Sequence, residues 1–331
     1  MSAAPRALDR TKIADLDHAI RHRWASVASP RPIFIMGLHR SGTTFLYASL
    51  ARGLHVARLT LQDVVFFPRR VHSQIEDGGA GDRRRLEAYF ADCRDTHGGE
   101  DMRLSPDAAE EYGWVLRRQA GSFRLSHKTL PAFENLSRKL MFLHPGSRAV
   151  LFKNPWDTGF ADRIAQLLPE ARFVFIRRDP IEILSSELRN AQHFGARRDP
   201  LLRLLMNGIP ELKALMGIYR LAYHGVGKRA YSRVFLRMLY ADIRSNLRRY
   251  EAALRQIPPG RAIEIGYGEL VDNTTATLDR VARFLGLPLT DEAEGIRGRR
   301  RPGGLLPAVA AREQELRTGL EQEGLERFLQ A

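Results

Sequence analysis

Two short stretches hold side chains whose types and spacing suit phosphate chemistry: GLHRSGTT at 37 to 44, and RRDPIEILSS at 177 to 186. In the first, Gly37 and Gly42 bracket a polar turn with Arg40 and Ser41, which runs on into Thr43, Thr44 and Phe45. Gly37, Gly42 and Thr44 fit the phosphate-loop pattern G-x-x-x-x-G-K-[ST], but Thr43 stands where that pattern has lysine. The backbone N–H groups of such a loop aim at an anion, and the dipole of the following helix adds to the attraction. The lysine is the group that reaches the β- and γ-phosphates, so its loss argues against a nucleoside triphosphate. Arg40 can instead clamp a 5′-phosphate and a second anionic group joined to it. In the second stretch Arg178 lies eight residues before Ser186. An arginine at a strand end and a hydroxyl about two turns into the next helix make a second anion site. Taken singly, the first stretch also reads as an ordinary βα turn and the second as a common Arg-Asp-Pro turn with small packing serines.

These residues need strands and helices to hold them. IFIM (33 to 36) is a short apolar run of buried-strand type, and TTFLYASLARGL after it has helical spacing. AVLFKNP (149 to 155), RFVFIRRDP (172 to 180) and AIEIGYGELVDN (262 to 273) read as three further strands with polar ends, each followed by a helix pattern. Strands alternating with helices predict an α/β fold, a parallel β-sheet flanked by helices. Residues 8 to 28 show helical spacing at Leu8, Ile13, Leu16, Ile20 and Trp24. Residues 60 to 105 read as irregular, with a loop tip at EDGGAGD (76 to 82) and a surface helix after it. Ser105 as N-cap with Pro106 behind it predicts a helix from there through Glu110 and Glu111. Residues 200 to 255 are mostly helical, with Pro210 and HGVG as breaks. The whole chain, 1 to 331, reads as one domain with helical insertions: a core of about 30–290, an N-terminal helix before it, and a basic loop and C-terminal helix over 291–331.

Bulk properties bound the possible partners. The formal net charge is +14, and 46 of the 52 basic residues are arginine. A basic surface attracts polyanions, but there is no Lys/Arg stripe with interleaved aromatics and no zinc-finger spacing, so no nucleic-acid partner is expected. The single cysteine, Cys93, excludes an internal disulfide framework. The N-terminal residues lack an apolar signal core, and no stretch approaches the roughly 20 apolar residues of a membrane span. The expectation is a cytoplasmic protein without a stable membrane span.

Together the two anion motifs, in this order and separation, resemble the 5′-phosphosulfate loop and the 3′-phosphate motif of the PAPS-dependent sulfotransferases, bacterial branch. In that family the loop reads G-x-x-[RK]-S-G-T-T, and the second motif is R-[DN]-P with a serine eight residues after the arginine. The resemblance covers roughly residues 30 to 290. It implies a phosphate-loop nucleotide-binding fold of sulfotransferase type, PAPS as donor, PAP as product and no required metal. Residue by residue it implies donor binding by Gly37, Arg40, Ser41, Gly42, Thr43, Thr44, Phe45, Arg178, Ser186 and Tyr267, with Phe45 and Tyr267 near the adenine. LFKNP looks like the strand whose lysine serves transfer, which maps onto Lys153. PAPS has no β- or γ-phosphate, so the missing loop lysine is dispensable. Two departures stand out. Cytosolic members carry a histidine two residues after the lysine, where this chain has Pro155, and the family's C-terminal cofactor segment is not recognisable: RGRRRPGG, with Arg299 to Arg301, reads either as its substitute near the 3′-phosphate or as an exposed basic loop.

Transfer to a hydroxyl or amine needs charge stabilisation on the leaving phosphate, here assigned to the loop, Arg40 and Lys153, and a base for the acceptor proton. Asp63, about twenty residues past the loop, is the first candidate base. Glu110, Glu111, His39, His55 and His127 are the others. The acceptor is left as a small molecule, lipid or carbohydrate, with its pocket expected from the segments 60 to 145 and 190 to 255; the apolar helical stretch 200 to 223 reads equally as a wall for a lipidic or polycyclic alcohol, as packed core or as a dimer face. A kinase-type phosphotransferase using ATP and magnesium, and a PAP-binding module without turnover, are the competing readings.

Overall fold

The computed structural model describes residues 8, 11–28, 30–93, 104–298 and 304–330. Its centre is a five-stranded, wholly parallel sheet of order β2-β3-β1-β4-β5. The strands are β1 (Pro32–Met36), β2 (Ala57–Arg58), β3 (Val150–Lys153), β4 (Arg172–Arg177) and β5 (Ala262–Gly266). The four apolar strand runs fold as read; the two residues of β2 at the edge were not anticipated.

Alternation along the strands builds two cores. Phe34, Phe152, Phe173 and Phe175 point to one face of the sheet. Ile33, Ile35, Leu151, Val174 and Ile176 point to the other. Both sets are almost wholly buried, as a parallel sheet covered on both faces requires.

The helices, in chain order, are α1 (His22–Ala25), α2 (Thr43–Gly53), α3 (Leu61–Val65), α4 (Arg70–Asp77), α5 (Ala80–Asp92), α6 (Gly113–Ala120), α7 (Leu130–Leu143) and α8 (Ala161–Leu167). They continue as α9 (Pro180–Ala196), α10 (Pro200–Leu205), α11 (Pro210–Gln256), α12 (Tyr267–Asp272), α13 (Thr274–Leu285), α14 (Pro307–Ala310) and α15 (Glu313–Glu321). The second face is covered by α2 and α13, through Leu46, Leu50, Leu278, Val281 and Leu285. The first face carries α7, α8, α9 and the second half of α11.

Three local expectations fail for identifiable reasons. Residues 11–28 form only a 3₁₀ turn (His18–Ile20) and α1, not a long helix. Asp17 fixes this segment. Its carboxylate accepts the N–H groups of Val71 and His72 and pairs with buried Lys139 at 2.6 Å. The helix expected from Ser105 begins only at Gly113, because residues 106–110 lie against residues 59–62: Leu61 and Gln62 donate to the carbonyls of Ala108 and Pro106. The stretch after residue 60 that reads as irregular holds α3 and α4, EDGGAGD is reduced to a turn at Gly78 and Gly79, both at positive φ, and the helix expected after it forms as α5.

The break at HGVG is sharper than a kink. Gly227 leaves helical geometry at φ 77°, ψ 157°. Tyr219 and Phe235 touch at 5.4 Å between ring centres, and Tyr223 and Tyr231 at 5.1 Å. Residues sixteen apart in a straight helix would be about 24 Å apart. The two arms of α11 therefore fold back on each other as a helical hairpin with Gly227 at its tip. Among the described residues no helix is long and apolar enough to cross a membrane.

Candidate active site

Four strand ends converge at one edge of the sheet. The chain leaves central β1 into the glycine loop, β3 into Asn154, β4 into Arg178 and β5 into Tyr267. Strand order reverses beside β1, and such a switch point opens a crevice at the carboxyl ends of the strands.

The loop is closely supported. Thr158 Oγ1 accepts the N–H of Gly37 at 2.9 Å and donates to its carbonyl at 2.8 Å. Ser41 Oγ donates to the Leu38 carbonyl at 2.7 Å. A Cβ at Gly37 would come within 2.6 Å of Ser41 Oγ and 2.9 Å of the Ile176 carbonyl. Gly42 takes φ 99°, and a Cβ there would meet the Tyr267 ring at 2.5 Å. Both glycines are thus required by close approach, and Gly42 by its left-handed backbone as well. Arg40 has φ 66°, the only positive φ of a non-glycine among the described residues.

The two anion motifs meet. Arg40 Nε donates to Ser186 Oγ at 2.8 Å. Arg178 donates from one terminal nitrogen to the Arg40 carbonyl at 2.9 Å and from Nε to Glu182 at 2.9 Å. Its guanidinium lies 4.2 Å over the Tyr267 ring, a cation–π contact. Asp179 caps α9 by accepting the N–H of Ile181, with Pro180 at the first helical position, so Ser186 is carried back towards the loop. Thr43, in the place of the pattern's lysine, is buried, while Phe45 is half-buried against the second core.

Lys153, almost fully buried at the end of β3, donates from Nζ to Thr44 Oγ1 at 3.1 Å. The same ammonium lies 3.6 Å from Glu111 Oε1. Glu111 precedes α6 and is brought in because Gly113 packs on Asn154, so closely that a Cβ there would meet Asn154 Oδ1 at 2.7 Å. The turn after β3 is held by buried Asp157, which accepts from the Tyr112 hydroxyl, Asn154 Nδ2 and the Leu125 N–H. Burial pushes its carboxyl up to about 6. Beside this turn Trp114, Phe123 and Trp156 form an aromatic cluster with centroids 4.5 to 5.7 Å apart, and His39 meets Trp156 edge-on at 5.2 Å.

The candidate bases fall in different places. Asp63 is buried, and both its oxygens are engaged: one accepts from Thr60 N and Oγ1, the other from Arg70 Nε at 2.8 Å. It closes the capping box of α3. Glu110 is buried, His127 is exposed, and exposed His55 lies at the opposite end of the sheet, where its carbonyl accepts the Arg148 N–H. Glu111 is the carboxylate that meets Lys153. Arg299 to Arg301 lie outside the described residues.

Sequence reasoning missed Thr158, the aromatic cluster and Glu187. Glu187 follows Ser186 on α9. Its burial, with Asp242 of α11 nearby, pushes its carboxyl up to about 8, and Arg40 pulls partly the other way. A carboxyl raised in the fold keeps its proton at neutral pH while the unfolded chain has lost it, so folding stability falls as pH rises from about 4.5 towards 8. Replacing Glu187 with glutamine is expected to remove that slope and to raise stability at pH 8. A gain of about 2 kcal/mol is expected, less than full burial would give because the side chain is partly solvated. Urea unfolding of both proteins at pH 5 and pH 8 measures it; parallel behaviour of the two would contradict the assignment.

The family model described as "Sulfotransferase family" matches residues 32–203 and 216–291. Among solved structures, sulfotransferase STF9 from Mycobacterium avium is similar at TM-score 0.58 and 15% identity, covering 87% of this chain and 72% of that one. Sulfotransferase STF1 from Mycobacterium tuberculosis H37Rv is similar at TM-score 0.54 and 17% identity, over 88% of this chain and 75% of that one. None of the curated proteins gives a match. The two structures speak to the fold, and the family model spans most of the chain, including every strand of the sheet. The chain belongs to the sulfotransferase family, and its activity is that of a transferase moving sulfuryl groups.

Proposed function

We propose that the chain, acting as one domain, transfers the sulfuryl group of PAPS to a hydroxyl or amine of a small molecule, lipid or carbohydrate, releasing PAP. The observation that carries the choice of donor is Arg178, whose guanidinium sits on the Arg40 carbonyl and over Tyr267, while the side chain of the same Arg40 bonds Ser186. This is a second cationic site next to the loop, as a nucleotide with both a 5′ and a 3′ anion needs. The cradle at Gly37 and Gly42, which has no room for a Cβ, suits a phosphate held on backbone N–H groups.

The donor supplies the electrophilic sulfur. The loop N–H groups, with Ser41, Thr43 and Thr44, hold its 5′ end, and Arg40 neutralises the anion there. Arg178 and Ser186 hold the 3′-phosphate. Tyr267 and Phe45 flank the adenine. Lys153 stabilises the charge that grows on the leaving phosphate oxygen. Its position argues against a magnesium nucleotide, because an ammonium 3.1 Å from the Thr44 hydroxyl that would bind the metal repels a divalent cation there. Glu111 takes the acceptor's proton, and its pairing with Lys153 keeps it aimed at the reacting end of the donor. Trp156 and Phe123, beside His39, offer an apolar wall to the acceptor.

Titration calorimetry with PAP, AMP and ATP–magnesium tests the donor. PAP is expected to bind about 100-fold more tightly than AMP, as charge-assisted bonds to one added phosphate allow. ATP–magnesium binding as well as PAP would overturn the reading and favour a kinase.

A further inference from the structure

Seven large apolar side chains are exposed among the described residues, and six of them lie on the α11 hairpin: Leu215, Ile218, Leu221, Val226, Val234 and Met238. Leu221 is 75% exposed and Ile218 60%. Such a concentration on one element calls for a partner, whereas scattered single residues would not.

The distribution follows the helix period. On the first arm Tyr219 and Tyr223 point inward, to the second arm and to Gly195 of α9. Ile218 and Leu221 lie on the other side, with small Ala214, Ala222 and Gly225 beside them, and Leu215 flanks the inward face at 39% exposed. On the second arm Tyr231 and Phe235 point inward, and Val234 and Met238, four residues apart, point out with Ala230 and Ala241. The outer faces of both arms are thus apolar.

Charge decides what such a surface meets. From 212 to 241 the hairpin has no aspartate or glutamate, but it has Lys213, Arg220, Lys228, Arg229, Arg233 and Arg237. Lys228 and Arg229 are exposed at the tip, beside Gly227, and Arg233 is exposed one turn on; Arg237 lies near Glu315. A second copy docking through this face would bring the tip cations of both chains together without a compensating acid on the hairpin. A surface both apolar and anionic fits instead.

We propose that the α11 hairpin docks on an anionic lipid surface, laying its outer apolar residues into the interface with Lys228, Arg229 and Arg233 at the headgroups. Long cationic side chains reach headgroups while an apolar face enters the acyl boundary, the usual balance for an element that lies on a bilayer and does not cross it. This inference stands apart from the choice of sulfuryl donor, since it uses none of the donor-site residues.

The full chain is to be sedimented with vesicles of phosphatidylcholine alone, and with about 30 mol% phosphatidylglycerol added to supply the negative surface. Binding to the mixed vesicles is expected to be at least ~10-fold tighter and to weaken with salt, as several surface cations near anionic lipid imply. Lys228→Glu with Arg229→Glu, and separately Ile218→Ser with Leu221→Ser, are each expected to lower it by ~10-fold or more. All four side chains are exposed, so unchanged thermal melting is expected to show intact folds. Non-specific attraction of a chain of formal net charge +14 would survive the serine substitutions; a serine variant that binds as well as the wild type overturns the proposal. So does a wild type left in the supernatant with both vesicles, or one that is a dimer by sedimentation equilibrium and becomes a monomer in the serine variant.

Discussion

Arg178→Ala is expected to weaken PAP binding by about 100-fold while AMP binding stays within a few-fold of wild type, because only PAP has the 3′-phosphate. A charge-assisted hydrogen bond is worth about 1.5–3 kcal/mol, and an arginine can offer two of them to one phosphate. The same guanidinium covers Tyr267 at 4.2 Å, so its loss also exposes one side of the ring against which Gly42 packs. Arg178 has a structural bond as well, to the Arg40 carbonyl at 2.9 Å. AMP separates the two roles: a collapsed loop would lose both nucleotides together, and that result would make Arg178 a support and not a phosphate ligand. Arg178→Lys is expected to fall between, because an ammonium keeps the charge but loses the planar fork and the stacking. Calorimetric titration of the three proteins with both nucleotides supplies the comparison.

The second large effect concerns turnover. Glu111→Gln is expected to lower kcat by about 100- to 10,000-fold, the range general-base catalysis commonly spans, with little change in PAP affinity. On the proposed role of Lys153 at the leaving oxygen, Lys153→Met is expected to lower kcat by at least ~100-fold, since it removes that buried cation. It also leaves Glu111 without the ammonium at 3.6 Å. The two losses should add up to less than their product in the double variant, because the residues form one pair. Asp63→Asn is the control. It is expected to lower stability, since Asp63 accepts from Thr60 and Arg70, while turnover of the folded fraction persists. Single-turnover release of labelled PAP measures all four. Full turnover in Glu111→Gln, with loss in Asp63→Asn, would return the base to Asp63.

The strand ends were legible because each couples an apolar run to an abrupt polar turn. β1 with its loop, β3 with Lys153 and β4 with Arg178 lie where those runs stop. The contact between Arg40 and Ser186 was implied only by the paired motifs, since no local pattern joins residues 146 apart. Asp63 shows a signal that was present and passed over. Thr60-x-x-Asp63 has capping-box spacing, which already gives that carboxylate a structural task. The Ser105 start was a true local preference overridden by pairing with residues 59–62. Glu187 gave no sign, because burial of a helical glutamate depends on which neighbours α9 meets. The α11 hairpin was half legible: glycines marked a break, but reversal of direction rests on rings meeting across it.

The backbone of Arg40 leaves one consequence. At φ 66° a residue with a Cβ sits in a conformation that costs it about 1 kcal/mol and that glycine adopts freely. The fold would gain stability from glycine there, yet glycine would remove the guanidinium that reaches Ser186. On the donor-holding role proposed for Arg40, stability and donor recognition therefore pull in opposite directions at a single position. With that role, a screen for heat resistance alone drifts towards a loop that no longer holds the donor, and an effort to harden this enzyme should hold residue 40 fixed.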